Sequence, residues 1–158
     1  MISPRITPFL MFDDQAEAAL NLYASLFEGA RIEHPVYYPD EMPGLGGKLM
    51  SATLDLGGQR IIAANGGPHF RFSEGFSLMV RCDTQPEIDT LWAALTDGGS
   101  EQPCGWLKDR FGLSWQIIPA HLQRLMDGSD PVRAGRVMQA MFQMKKLDIS
   151  LLEAAYQG

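Results

Sequence analysis

The chain has 158 residues, the length of one domain or of two small halves sharing a core, and its 46% apolar residues can bury a substantial interior. A formal charge of -6, with no basic cluster longer than Lys145-Lys146, sets a repulsive field against phosphate backbones and argues against nucleic acid as a partner. No apolar run approaches the roughly 20 residues that cross a bilayer, the opening MISPRITPFLMFDDQ lacks a cleavage pattern, and Cys82 and Cys104 have no metal-binding spacing, so the sequence reads as a soluble cytoplasmic protein with free thiols.

Arg5 to Phe12 is short and apolar and reads as a strand in which Pro8 favours an edge or a bulge. The period then changes. Asp14 with Glu17 resembles a capping box, and Ala16, Ala19, Leu20, Tyr23, Leu26 and Phe27 follow helical spacing until Gly29 ends the run. Arg31 to Tyr38 reads as a strand, Pro39 to Gly47 as a Pro/Gly loop, and Lys48–Leu56 with Gln59–Asn65 as a hairpin turned by Gly57-Gly58.

About 70 residues later the order recurs. Phe76 to Asp83 is again a strand ending in Asp, Thr84 with Glu87 again resembles a cap, and Ile88, Leu91, Trp92 and Leu95 form a helical stripe stopped by Gly98-Gly99. Asp13 and Asp83, Glu17 and Glu87, and Gly29 and Gly99 each lie 70 positions apart. A duplicated β-α-β-β-β unit follows. Its second copy ends in CGWLKDRFGLSWQIIP, where Asp109-Arg110-Phe111-Gly112 supplies a turn. Alternation after that turn sends Leu113, Trp115 and Ile117 to one face and Ser114, Gln116 and Ile118 to the other.

Beyond Pro119 the pattern is helical: His121 to Met126, then a helix opened by Asp130-Pro131 and carrying Val137, Met138, Met141 and Met144, then Ile149 to Ala155 after Asp148. This tail belongs to neither copy. Among reactive residues, His69 in the run Asn65-Gly66-Gly67-Pro68-His69 could serve as a base at a cavity mouth, whereas His34, His121 and Cys104 have no partner at a useful spacing. Pro39 to Lys48 fails the phosphate-loop pattern because Met42 is not Gly and Leu49 is not Ser or Thr.

A strand ending in Asp, a capped helix and three strands, twice over and closing on a D-x-x-G hairpin, resembles the vicinal oxygen chelate superfamily of glyoxalases, bleomycin-resistance proteins and extradiol dioxygenases. Within it the runs ITPFLMFDDQAEAALNLYASLF, NGGPHF and CGWLKDRFGLSWQIIP resemble the PhnB-like family, also labelled 3-demethylubiquinone-9 3-methyltransferase. The resemblance implies an α+β fold: two βαβββ modules, at about 5-66 and 75-119, forming a curved mixed sheet around a small-molecule cavity. Residues 1-128 would make this domain and 129-158 a C-terminal helical extension, in a homodimer to which the apolar stripe of the tail contributes.

Metal-dependent members of that superfamily take histidines from the first strand of each module and glutamates from the last. Counting back from Asp13 and Asp83 carries the histidine positions onto Thr7 and Ser77, counting from Asp109 carries the last glutamate onto Gln116, and the remaining position falls within Ile61 to Asn65. Neutral Thr, Ser and Gln oxygens are weak ligands, so no metal and no cofactor is expected. The expected substrate-binding set is Thr7, Phe9, Asn65, His69, Ser77, Trp106, Trp115 and Gln116, with an aromatic wall from one of the tryptophans. The function so implied is binding of a small molecule, and the alternative is a glyoxalase- or dioxygenase-type enzyme on a small oxygen-bearing substrate. A nucleoside-cofactor glycine turn after a strand, which methyl transfer in a doubly wound fold would use, is not found in the sequence.

Overall fold

The computed structural model describes residues 5–158. Its first module runs β1 (Phe9–Phe12), α1 (Ala16–Leu26), β2 (Arg31–Tyr37), β3 (Leu49–Asp55) and β4 (Arg60–Asn65). The second runs β5 (Ser77–Cys82), α2 (Gln85–Thr96), β6 (Ser100–Glu101), β7 (Trp106–Lys108) and β8 (Ser114–Pro119). Three helices follow: α3 (Leu122–Leu125), α4 (Pro131–Phe142) and α5 (Ile149–Gln157). The chain divides into two units after Arg71, so the helical tail belongs to the second.

Both modules share one topology. The first sheet has the order β1-β4-β3-β2 and the second β5-β8-β7-β6, with the first and last strand of each module parallel and the rest antiparallel. The duplication read from spacing is therefore repeated in strand pairing. Each sheet is open at two edges and is not curled closed as the resemblance implies, because four strands are half of the roughly eight that close a small barrel.

In the first module the strand expected from Arg5 starts only at Phe9, since Pro8 has no N–H for the ladder and contributes only its carbonyl, which accepts from Ile62 N at 2.9 Å. The expected Asp14/Glu17 capping box does not form. Gln15 is the N-cap and makes no side-chain cap, while Asn65 Oδ1, at the end of the neighbouring parallel strand, accepts from Ala16 N at 2.9 Å. Leu10, Phe12, Ala52, Leu54, Ile61 and Ala63 bury one face of the sheet together with Ala16, Ala19, Leu20 and Tyr23 of α1. In β2, His34 and Pro35 together face Ala52, a bulge that leaves His34 at φ 53°.

In the second module the Thr84/Glu87 capping box does form, and α2 lays Ile88, Leu91, Trp92 and Leu95 against the sheet. The tail packs within its own unit: Leu122, Leu125, Val137, Leu147 and Leu152 form a buried cluster with Met141, Met144 and Ile118 against it. Of the stripe expected to reach a twofold partner, Val137, Met141 and Met144 pack on their own chain, while Met138 is 40% exposed. Cys104 N and Gly105 N donate to the carbonyls of Met144 and Lys145 at 2.9 and 2.8 Å, tying the tail to the hairpin.

Candidate functional site on the second sheet

Strand alternation decides which side chains share a face. In β8, Trp115 and Ile117 are buried on the side covered by α2, with Leu107 of β7 beside them. Ser114, Gln116 and Ile118 take the opposite face. Pairing then lays two rows across that face: Ser77, Ser114 and Lys108 in one, and Met79, Gln116 and Trp106 in the next.

The hairpin holds these rows through Asp109. Its buried carboxylate accepts from Phe111 N and Leu113 N at 2.9 and 3.0 Å through Oδ1, and from Trp115 Nε1 at 2.9 Å through Oδ2. Gly112, at φ 89°, lets the turn close. Trp115 is consequently a core side chain with its indole N–H satisfied, and Trp106, half-buried, is the tryptophan that shares the face of Gln116.

Gln116 Nε2 donates to Ser77 Oγ at 2.9 Å, joining the two rows. That bond leaves Gln116 Oε1 as an acceptor and the Ser77 hydroxyl proton as a donor, side by side, next to the Trp106 ring and the half-exposed Met79. Ser114 Oγ, on the same face, is buried without a hydrogen-bond partner. Glu74 reaches over this end of the sheet to pair with Lys108 Nζ at 2.5 Å and to accept from Gln102 Nε2 at 3.3 Å. The Lys108 hydrogen bond and charge, with the bond from Gln102, hold the Glu74 carboxyl below its ordinary pKa.

Ser77, Trp106 and Gln116 are therefore brought together within the second unit, and the indicated residues of the first unit have surroundings of their own. Thr7 is exposed ahead of β1, Phe9 is 54% exposed at its start, and His69 is exposed in the segment after β4. Asn65 is buried, with both ends of its amide engaged: Oδ1 on Ala16 N and Nδ2 donating to Leu49 O at 2.9 Å. Ser114, Lys108 and Glu74 were not singled out from sequence. The alternation had already put Ser114 beside Gln116, but a serine on the less apolar face of a strand carries no sign that it is buried. Cys82 is buried, and desolvation, with the Glu87 and Asp83 charges behind it, pushes its thiol up to about 11, leaving it protonated at neutral pH.

Comparing the two modules sharpens the picture. The pair Phe9 and Ile62 occupies the register of Met79 and Gln116, so Ile62 stands where the second copy has Gln116. Arg60 and Asp55 occupy the places of Ser114 and Lys108, and there they form an ion-pair network with Arg31 and Glu33. The neutral polar cluster exists in one copy only. It does not fit a divalent metal: Ser77 and Gln116 spend polar atoms on each other, and among the described residues no group of three or more His, Cys, Asp or Glu is placed to hold an ion. A separate groove of about 380 Å³ lies by α3 and α5, lined by Arg124, Leu125, Glu153, Ala154, Tyr156 and Gln157, away from this face.

Comparison with known proteins gives a consistent relation. The family model described as 3-demethylubiquinone-9 3-methyltransferase matches residues 4–118. Among solved structures, the PhnB protein from Bacillus cereus that carries the same 3-demethylubiquinone-9 3-methyltransferase label is 36% identical, over 74% of this chain and 100% of its own, with a TM-score of 0.70. A protein from Pseudomonas aeruginosa is 26% identical over 74% of this chain and 98% of its own, with a TM-score of 0.62. A mutant of the fosfomycin resistance protein FosX from Listeria monocytogenes, complexed with Mn(II) and 1S,2S-dihydroxypropylphosphonic acid, shares the fold at 14% identity, over 80% of this chain and 100% of its own, with a TM-score of 0.53. No curated protein matches.

Proposed function

Because the chain belongs to the 3-demethylubiquinone-9 3-methyltransferase family, the PhnB-like group of the vicinal oxygen chelate superfamily, we propose that it binds a small molecule on the Ser77/Gln116/Trp106 face of its second sheet without a bound metal. The observation that carries the reading is the Ser77–Gln116 hydrogen bond at 2.9 Å. Two side chains at positions that hold metal ligands in metal-dependent members of the fold are neutral here and oriented by one another. They present a donor and an acceptor beside an aromatic ring, the mixture of apolar area and few polar groups that small-molecule sites use.

The family label names a methyl transfer, but among the described residues the only parallel pairs are β1 with β4 and β5 with β8, and neither forms the doubly wound sheet with a glycine turn that would seat a nucleoside cofactor. Thr7, Phe9 and His69 remain part of the proposed binding set as exposed residues of the first module, and assembly as a homodimer belongs to the same proposal. A fragment library titrated into the ¹⁵N-labelled full chain tests it. Binding should shift the Trp106 indole N–H and the Gln116 side-chain amide; binding that leaves both unmoved and perturbs the groove of Arg124 and Tyr156 would place the site elsewhere.

A further inference from the structure

Ser114 is 1% exposed, and its hydroxyl oxygen has no hydrogen-bond partner. A buried hydroxyl left unpaired is costly, and native structures keep few such groups without a use. Ser114 lies between Ser77 and Lys108 in one row, and Glu74, three residues before Ser77, pairs with Lys108 on the far side of that row and with Gln102 beyond it. Phe72 lies 4.0 Å from where a Cβ on Gly112 would be, at the hairpin turn that leads into Ser114. The segment from Phe72 to Phe76 therefore runs from the hairpin turn at Gly112 to the start of β5, the strand that pairs with β8 at Ser114. The tether is an ion pair whose Glu74 is 59% exposed, which holds weakly, and Phe76 is 44% exposed. The first module needs no such arrangement, since Arg60 stands in place of Ser114 and is paired with Asp55 and Glu33.

Resting on the binding face proposed above, we propose that Ser114 is its third polar contact and that the site takes an uncharged, flat ligand bearing both a hydrogen-bond donor and an acceptor, seated beside the Phe72–Phe76 segment. Ser77 and Ser114 offer hydroxyl donors to the acceptor of the ligand, and Gln116 Oε1 takes its donor. An anion is disfavoured at this spot because Lys108 is already neutralised by Glu74. Arg81 is exposed on the same face, but four residues from Ser77 along β5, roughly 13 Å at strand spacing, so it would draw a carboxylate away from Ser114.

Benzamide and benzoate share one ring and differ in this charge, so the pair is titrated at millimolar concentration and pH 7 into the full chain and into Ser114→Ala, Gln116→Ala and Arg81→Gln. Benzamide should bind more tightly than benzoate, Ser114→Ala should weaken it about fivefold, the worth of one neutral hydrogen bond, and the unliganded Ser114→Ala protein should melt no lower than the parent. A lowered melting temperature with unchanged benzamide affinity makes the hydroxyl structural and overturns the proposal. Tighter benzoate binding that depends on Arg81 overturns the ligand class, and absence of benzamide binding overturns it as well. If fragments shift Gln116 and Trp106 but ignore Ser114, the binding face stands and this inference alone falls.

Discussion

Gln116 and Ser77 sit 39 residues apart, one on each of two adjacent parallel strands, and the amide of the first donates to the hydroxyl of the second at 2.9 Å. Neither can move without leaving the other unpartnered, so the pair fixes the geometry of the face around it. The counterpart of Gln116 in the first module is the apolar Ile62, so the neutral polar pair occurs in the second module, while the first carries an ion-pair network instead.

The turn beneath that face depends on Asp109. Asp109→Ala should leave two backbone N–H groups and the Trp115 indole N–H buried without acceptors, at roughly 1–3 kcal/mol for each unsatisfied donor. Denaturant unfolding should register a loss of several kcal/mol. A loss under about 1 kcal/mol would mean that water or another acceptor replaces the carboxylate.

Asn65→Ala separates a structural asparagine from a ligand contact. It removes the acceptor of Ala16 N and the donor to Leu49 O, so stability should fall by about 1–2 kcal/mol, as for loss of a helix cap. Binding of any fragment on the Gln116 face should be unchanged by that substitution. A stable variant with weakened binding would make Asn65 a ligand contact, as the expected substrate-binding set has it.

Acid should loosen the first module. Hydrogen bonding from Gly58 N, then the Arg31 and Arg60 charges, lowers the Asp55 carboxyl pKa, and the Arg31 hydrogen bond followed by the Arg60 charge lowers that of Glu33. Carboxyls with depressed folded values contribute stability that is complete above their unfolded values, about 4 to 4.5, and is lost as pH falls through the folded ones. The melting temperature should decline below about pH 4.5, and Asp55→Asn should flatten that decline. An Asp55→Asn protein with the parent acid profile would contradict the assignment.

Much of this architecture can be read before any coordinates. The recurrence of Asp, Glu and Gly at a spacing of 70 forecasts two copies of one unit, because it marks the strand-to-helix boundary and the helix stop twice, even though only Thr84 and Glu87 form the capping box. Alternation in β8 likewise separates Trp115 from Gln116. The capping of α1 is not legible, since its acceptor comes from Asn65, 49 residues away, and a local Asp14/Glu17 pattern competes for the same reading. Nor is β6 visible, because Ser100 and Glu101 are both exposed and carry no apolar signal. The significance of Ser114 emerges only when its hydroxyl is seen to be buried without a partner in the row between Ser77 and Lys108.

The tail illustrates a further limit. Its Met141 looks like an interface residue from helical spacing but packs on the Leu122/Val137/Leu152 cluster. Met141→Glu should therefore lower the melting temperature by placing a charge against that cluster, with no need for a partner chain. Light scattering of the unmodified protein should still give about twice the 17.5 kDa chain mass if the proposed homodimer forms, and a monomeric mass would remove it.

Metal dependence is open to a plain test. With Ser77 and Gln116 bonded to each other and no group of three or more His, Cys, Asp or Glu among the described residues placed to hold an ion, a chelator should leave the melting temperature unchanged, because only a bound species stabilises by mass action. A chelator-induced drop, with one ion per chain in the purified protein, would contradict the metal-free reading.

The most direct measurement is calorimetric titration of the tightest fragment into the parent chain and into Gln116→Ala. If the Ser77/Gln116/Trp106 face is the binding site, the substitution should weaken binding by roughly 1 kcal/mol, about fivefold, with folding nearly intact. Unchanged affinity in a well-folded Gln116→Ala protein would show that the ligand does not sit there.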